Sequence, residues 1–243
     1  MNAPSEVAAP HSPAALQIAG LHFAYRTTAG SAPWSLHVAQ LSLDPGRQLL
    51  LTGPSGRGKS TLLHLTAGLM DPDQGSVSVA GTNIHALRGA SRDRFRGRHI
   101  GMIFQTFNLL PGFTALENVL VALMFSDIPP RTHVARASEF LRHLGIDKLN
   151  HTPDQLSVGQ QQRVAVARAL VAAPTLVLAD EPTASLDPEN AVNALRLICD
   201  VCRERGAALL CTSHDPSLRD LFPDSVDVRD LASTPAAAAT GGL

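Results

Sequence analysis

The sequence predicts an α/β fold built on a mainly parallel sheet, and three observations carry that prediction. Two runs, QLLLT from Gln48 and TLVLAD from Thr175, are uniformly apolar between their end residues, as strands buried on both faces should be. In the second half of the chain such strands alternate with helical patterns. Between QLLLT and the helical stretch STLLHLTAGLM lies a glycine-rich turn, GPSGRGKS.

Bulk properties agree with one globular protein. The 243 residues are 44% hydrophobic and carry a net charge of -1, so no global field favours nucleic acid. The arginine-rich run RGASRDRFRGRH has one aromatic, Phe95, and an acid, Asp93, within it, and reads as a basic surface segment; no nucleic-acid partner is expected. The N-terminus lacks the basic and apolar regions of a secretory signal, and no apolar stretch reaches the ~18 uninterrupted residues of a membrane span.

Taken in order, residues 1–14 are an Ala/Pro-rich tail expected to be disordered. Short β runs follow: ALQIAGLHFAY, WSLHVAQLSL, the turn at Asp44 to Gly46, QLLLTG, and SVSVAG with strict alternation. From about 106 to 156 helical periodicity appears in LENVLVALMF and in HVARASEFLRHLG, the latter ended by Gly145. Then come the helix of LSVGQQQRVAVARAL, stopped near Pro174, the strand TLVLAD, a helix from about Pro188 to Arg205 and the strand ALLCTSHD. A second tail expected to be disordered, 232–243, closes the chain.

Cys199, Cys202, Cys211 and His214 spell a C-x2-C-x8-C-x2-H pattern that superficially suggests zinc. The first two cysteines fall on the helical pattern and the third on the strand, so they read as small core residues and reduced thiols.

The turn Gly53, Pro54, Ser55, Gly56, Arg57, Gly58, Lys59, Ser60 satisfies G-x4-G-K-[ST] in the strand-then-helix setting the motif requires. Its glycines let successive N–H groups converge on one point, and the following helix N-terminus adds partial positive charge. A nucleoside triphosphate is the natural occupant, with Lys59 at the β and γ phosphates, the Ser60 hydroxyl on Mg2+ and Thr61 on a further phosphate. Arg57 sits at a free position and is expected to face solvent. Asp180 and Glu181 end TLVLADE at the ligand-binding edge of a parallel sheet. Facing opposite ways, they suit different tasks: Asp180 as a partner of Mg2+, Glu181 as the base that polarises a water.

Together with Gln105 in GMIFQTFNLLPGFTALENV, LSVGQ, LVLADEPT, the SLD of 185–187 and His214 in CTSHD, this order of motifs resembles the ATP-binding-cassette (ABC) ATPases between the two tails. The resemblance implies one domain over 15–231: a P-loop NTPase (RecA-like) core, an N-terminal antiparallel β subdomain and an α-helical subdomain inserted at about 106–172. It implies ATP and Mg2+ as ligands and ATP hydrolysis as the activity. Tyr25 resembles the aromatic that stacks on adenine, with an ordinary strand aromatic as the alternative. Gln105 is similar to the residue that contacts Mg2+ and the attacking water, and His214 to the histidine that bonds the γ phosphate. Ser157, Gly159 and Gln160 at a helix start, with Asp187, would serve the ATP of a second subunit, giving a homodimer.

The wording FNLLPGFTALENV and LVLADEPTASLD resembles the branch of lipoprotein-releasing and macrolide-exporting cassettes. That implies an integral-membrane permease as partner and a place on the cytoplasmic face of the inner membrane. Phe107, Leu109, Leu110 and Phe113 either line a groove for a coupling helix of that permease or pack the helical insertion. Powering transport, regulating an envelope enzyme through a permease-like partner, and a soluble role in cofactor assembly all share the ATPase motifs; the last fits this wording least. One departure stands out: Val158 replaces the first glycine of the common LSGGQ.

Overall fold

The computed structural model describes residues 13–25, 34–184 and 186–232. The predicted tails, apart from residues 13, 14 and 232, and Ser185 of the SLD motif lie outside the described residues.

Two sheets form the body. β1 (Leu16–Ala24) and β2 (Ser35–Leu43) pair antiparallel along their lengths. β3 (Gln48–Thr52) leads through the glycine-rich turn into α1 (Lys59–Thr66), and β4 (Gln74–Val79) and the short β5 (Thr82–Asn83) complete an antiparallel sheet of order β2-β1-β4-β5. α2 (Gly89–His99) and β6 (Ile100–Ile103) follow. Three helices come next: α3 (Ala115–Leu123), α4 (His133–His143) and α5 (Val158–Leu170). β7 (Leu176–Asp180), α6 (Pro188–Arg205), β8 (Ala208–Ser213) and β9 (Asp224–Asp227) end the chain, and the parallel sheet has the order β6-β7-β8-β3-β9.

The apolar runs predicted as doubly buried strands are so for a visible reason. Successive side chains point to opposite faces. Leu49, Leu51, Leu176, Leu178, Ala208 and Leu210 pack into one core with the antiparallel sheet and α1. Their neighbours Leu50, Val177, Ala179, Leu209 and Cys211 pack into a second core with α3, α4, α5 and α6. Every one of these positions is apolar because neither face of the central strands meets water.

Local signals set the helix ends. Thr114 accepts a bond from Glu117 N while the Glu117 carboxylate reaches back to Thr114 N, a reciprocal cap that starts α3. Asp187 caps α6 at Asn190 N, and Gly206, at φ 66°, ends it in a left-handed turn few other residues accept. Cys199 and Cys202 on α6 and Cys211 on β8 are buried as predicted, and desolvation pushes the Cys199 thiol up to about 11 and the other two higher still.

Of the two places open to Phe107, a docking groove or the packing of the helical insertion, it takes the second. It is only 6% exposed, turned inward by a left-handed backbone at φ 59°, whereas Leu110 and Phe113 remain exposed. Burial of about 1.5–3 kcal/mol worth of aromatic surface outweighs the cost of that backbone.

Parallel register positions the site. Thr52 lies opposite Ser213 and Asp180 opposite Thr212, so β3, β7 and β8 end at one level and release Gly53, Glu181 and His214 side by side.

Candidate active site

Gly53 leaves β3 at φ 145°, and a Cβ there would lie 2.8 Å from Val228 Cγ1. Gly58 precedes α1 at φ 95° and supplies no side-chain cap, so the first amides of α1 stay free to meet an anion. Lys59 is 4% exposed. Its Nζ donates to Gly53 O at 2.8 Å and Pro54 O at 3.3 Å and lies 3.2 Å from Glu181 Oε1. Arg57 is exposed, as expected of a free position.

The two acids take different partners, though Glu181 lies just past the end of β7 and owes its direction to its own backbone, not to strand alternation. Asp180 Oδ1 accepts from Ser60 Oγ at 3.0 Å and from Thr212 Oγ1 at 2.9 Å. Glu181 turns away at φ 42°, a left-handed backbone uncommon for this residue, and its N–H bonds Thr212 Oγ1 at 3.0 Å. Glu181 Oε2 lies 2.7 Å from His214 Nδ1. Thr212 therefore braces both acids, a role sequence reasoning did not assign although the residue lies within CTSHD. Only its register opposite Asp180 reveals it.

Tyr25, Ser55, Gly56, Gly58, Lys59, Ser60, Thr61, Gln105 and Glu181 line one cavity of about 490 Å³, together with Trp34. Tyr25 is 46% exposed and its hydroxyl lies 3.2 Å from Thr61 Oγ1. Gln105 sits just past β6 and lines the cavity.

Ser157, Gly159, Gln160 and Asp187 do not line this cavity. Ser157 caps α5, accepting from Gln160 N at 3.3 Å while Gln160 Oε1 accepts from Ser157 N at 3.0 Å. A Cβ built on Gly159 would meet nothing within 4 Å, so the start of α5 presents an open face. The Asp187 carboxyl lies below its ordinary pKa, chiefly through the Asn190 side chain.

The donor set fits Mg2+ and a polyphosphate. Ser60 Oγ and Asp180 offer hard oxygens at one point, and Lys59 stands beside them. Among the described residues no three His, Cys, Asp or Glu side chains form a metal site by themselves. Mg2+ held here would take the rest of its shell from phosphate oxygens and water, as it commonly does.

A phosphate loop running from a buried strand into a helix, with an acid pair on a neighbouring parallel strand, defines a P-loop nucleoside triphosphatase. The ABC transporter family matches residues 36–184. The lipoprotein-releasing system ATP-binding protein LolD 2 of Caulobacter vibrioides is 42% identical over 217 residues, covering 88% of this chain and 94% of that protein. LolD of Maricaulis maris is 43% identical over 204 residues, 84% of this chain and 89% of its own. Among solved structures, the ATP-binding cassette MJ0796, a dimer bound to ADP and Pi in a post-hydrolysis state, superposes with a TM-score of 0.73 at 30% identity, over 87% of this chain and 93% of that one. This chain belongs to the ABC transporter family, as its ATP-binding subunit, and its activity is the Mg2+-dependent hydrolysis of ATP. Among the described residues no helix is long and apolar enough to cross a membrane.

Proposed function

We propose that this chain is the motor of a lipoprotein-releasing exporter, one cassette domain over residues 15–231 that works as a homodimer. It docks on an integral-membrane permease at the cytoplasmic face of the inner membrane. The names of its LolD relatives support lipoprotein as the cargo and favour release over a purely regulatory role or cofactor assembly. A helical arm at about 106–172 carries force from the nucleotide to the permease.

The observation that carries the chemical reading is the Lys59–Glu181–His214 chain beside the Ser60–Asp180 pair. Glu181, placed between a cation and an imidazole, accepts the proton of the attacking water as it adds to the γ phosphorus and ADP leaves. His214 holds the Glu181 carboxylate in position and reaches toward the γ phosphate, while Lys59 exchanges its bond to Glu181 for β and γ oxygens. Asp180, fixed by Thr212, and Ser60 would hold the metal, and Gln105 would contact it from the loop past β6. Mg2+, when bound, neutralises charge on the phosphates. Ser157, Gly159, Gln160 and Asp187, which do not line the cavity of their own chain, complete the site of the second copy.

For the permease, the groove of about 520 Å³ bounded by Leu69, Met102, Phe104, Phe125 and Arg168 offers apolar walls, and Met124 beside it is 72% exposed. Leu110 and Phe113 are exposed apolar residues as well.

Glu181→Gln tests the chemistry. The variant keeps ATP binding, loses turnover by roughly 10²-fold or more, and accumulates as an ATP-bound dimer in size-exclusion chromatography. Hydrolysis at the wild-type rate would show that Glu181 is not the base.

A further inference from the structure

Trp34 is the only tryptophan of the chain, and no sequence motif marks it. It stands immediately before β2, and its carbonyl accepts a bond from Tyr25 N at 3.3 Å, so the β1–β2 pair brings both rings to one end of the antiparallel sheet. The ring centroids are 5.4 Å apart with planes tilted by 42°, and Phe23 braces Tyr25 edge-on at 5.0 Å. The indole lies directly over the phosphate loop: a Cβ on Gly58 would come 2.8 Å from Trp34 Cζ2. Tyr25 reaches the first turn of α1, which continues that loop, through its hydroxyl at Thr61.

We infer that Trp34 stacks on the adenine of ATP beside Tyr25, so that base binding uses two rings. The inference rests on the reading of this cavity as the ATP site. Both rings line that cavity with Lys59 and Ser60. A ligand carrying a planar base and a phosphate chain meets rings and cradle together, because the two are in contact at Gly58 and Thr61. Tyr25 is tethered by its hydroxyl, whereas the bicyclic indole supplies the larger π face. Stacking of this kind needs only a flat apolar surface. A side chain at Gly58, already disfavoured by its φ of 95°, would also displace the indole from the loop.

Because every tryptophan photon comes from residue 34, the wild-type protein reports on itself. Full-length protein is titrated with MgATP while emission and binding heat are followed on the same samples, and again with magnesium tripolyphosphate, which carries no base. Emission should change with MgATP in step with the heat and stay constant with tripolyphosphate. Trp34→Ala should weaken MgATP binding roughly tenfold, the scale of one base–aromatic stack, without weakening tripolyphosphate, and Trp34→Phe should restore most of the loss. Binding heat with no change in emission, or an equal emission change with tripolyphosphate, overturns the stacking role of Trp34 and leaves the ATP site standing. Absence of MgATP binding by the wild-type protein overturns the site itself.

Discussion

Asp227 shows how a residue outside every motif supports the phosphate loop. It pairs with Thr52 where β3 enters the loop, and a Cβ on Gly53 would lie 3.5 Å from its Oδ1. The Arg229 guanidinium bonds both carboxylate oxygens, at 2.9 and 2.8 Å, and this holds the carboxyl at about 2, with the Arg229 N–H and the charge of Arg219 acting in the same direction against burial. A free aspartate in the unfolded chain titrates near ~3.9. Since the folded value is depressed, the unfolded chain takes up the proton first as pH falls. The stability Asp227 contributes is full above pH ~4 and is lost as pH drops through 4 toward 2. Asp227→Asn should therefore lower the unfolding free energy by a constant amount between pH 5 and 7, with the difference from wild type shrinking below pH ~4. Denaturant melts across that range check this, and a difference independent of pH would exclude the linkage.

At the scale of the element, α5 ties two parts of the machine together. Its N-terminus carries Ser157, and its last turn carries Arg168, whose Nη1 donates to Asn108 O and Nη2 to Phe107 O, each at 2.6 Å. Those two acceptors belong to consecutive left-handed residues, Phe107 at φ 59° and Asn108 at 46°, two and three positions beyond Gln105. The buried Asn118 of α3 pins the far side of the same loop through Leu110 N, Phe113 O and Thr114 O. Burial lowers the Arg168 pKa, and two charge-assisted bonds offset that desolvation. Arg168→Lys keeps a cation but not the planar fork. Losing one charge-assisted bond, about 1.5–3 kcal/mol, should loosen the Gln105 turn. The expected result is unchanged MgATP affinity in equilibrium binding and a fall in steady-state turnover of about tenfold, since each ~1.4 kcal/mol at the transition state is a factor of ten. Wild-type turnover would show that this clamp does not control Gln105. None of it was legible beforehand, because Arg168 meets its acceptors 60 and 61 residues away. β9 escaped notice for a different reason: DSVD is short and polar, and only pairing with β3 makes it a strand.

For the whole molecule, what the sequence made legible were features whose cause is local. The phosphate loop is defined by spacing, the helix starts by their caps, and the central strands by apolar runs that both cores require. What it hid were contacts across the chain: Trp34 over Gly58, Thr212 between Asp180 and Glu181, Phe107 turned inward. The two halves of the site also separate at this scale, since the cavity is lined by the phosphate loop, the start of α1, Tyr25 and Trp34, and the residues Gln105 and Glu181 just past β6 and β7, while Ser157 and Asp187, at the starts of α5 and α6, lie outside it. Val158 stands at the start of that second half, 52% exposed and adjacent to Ser157, so its side chain supports no core. Its removal leaves no cavity, and at a helix start the cost is below the ~1 kcal/mol of an interior glycine. In the proposed dimer its branched methyls lie where the partner's ATP must approach, and they restrict the backbone that offers its amides. Val158→Gly should leave MgATP affinity of the monomer unchanged and, in a Glu181→Gln background, strengthen the ATP-bound dimer measured by sedimentation. A shift in monomer affinity, or a dimer of unaltered strength, would place Val158 outside the interface.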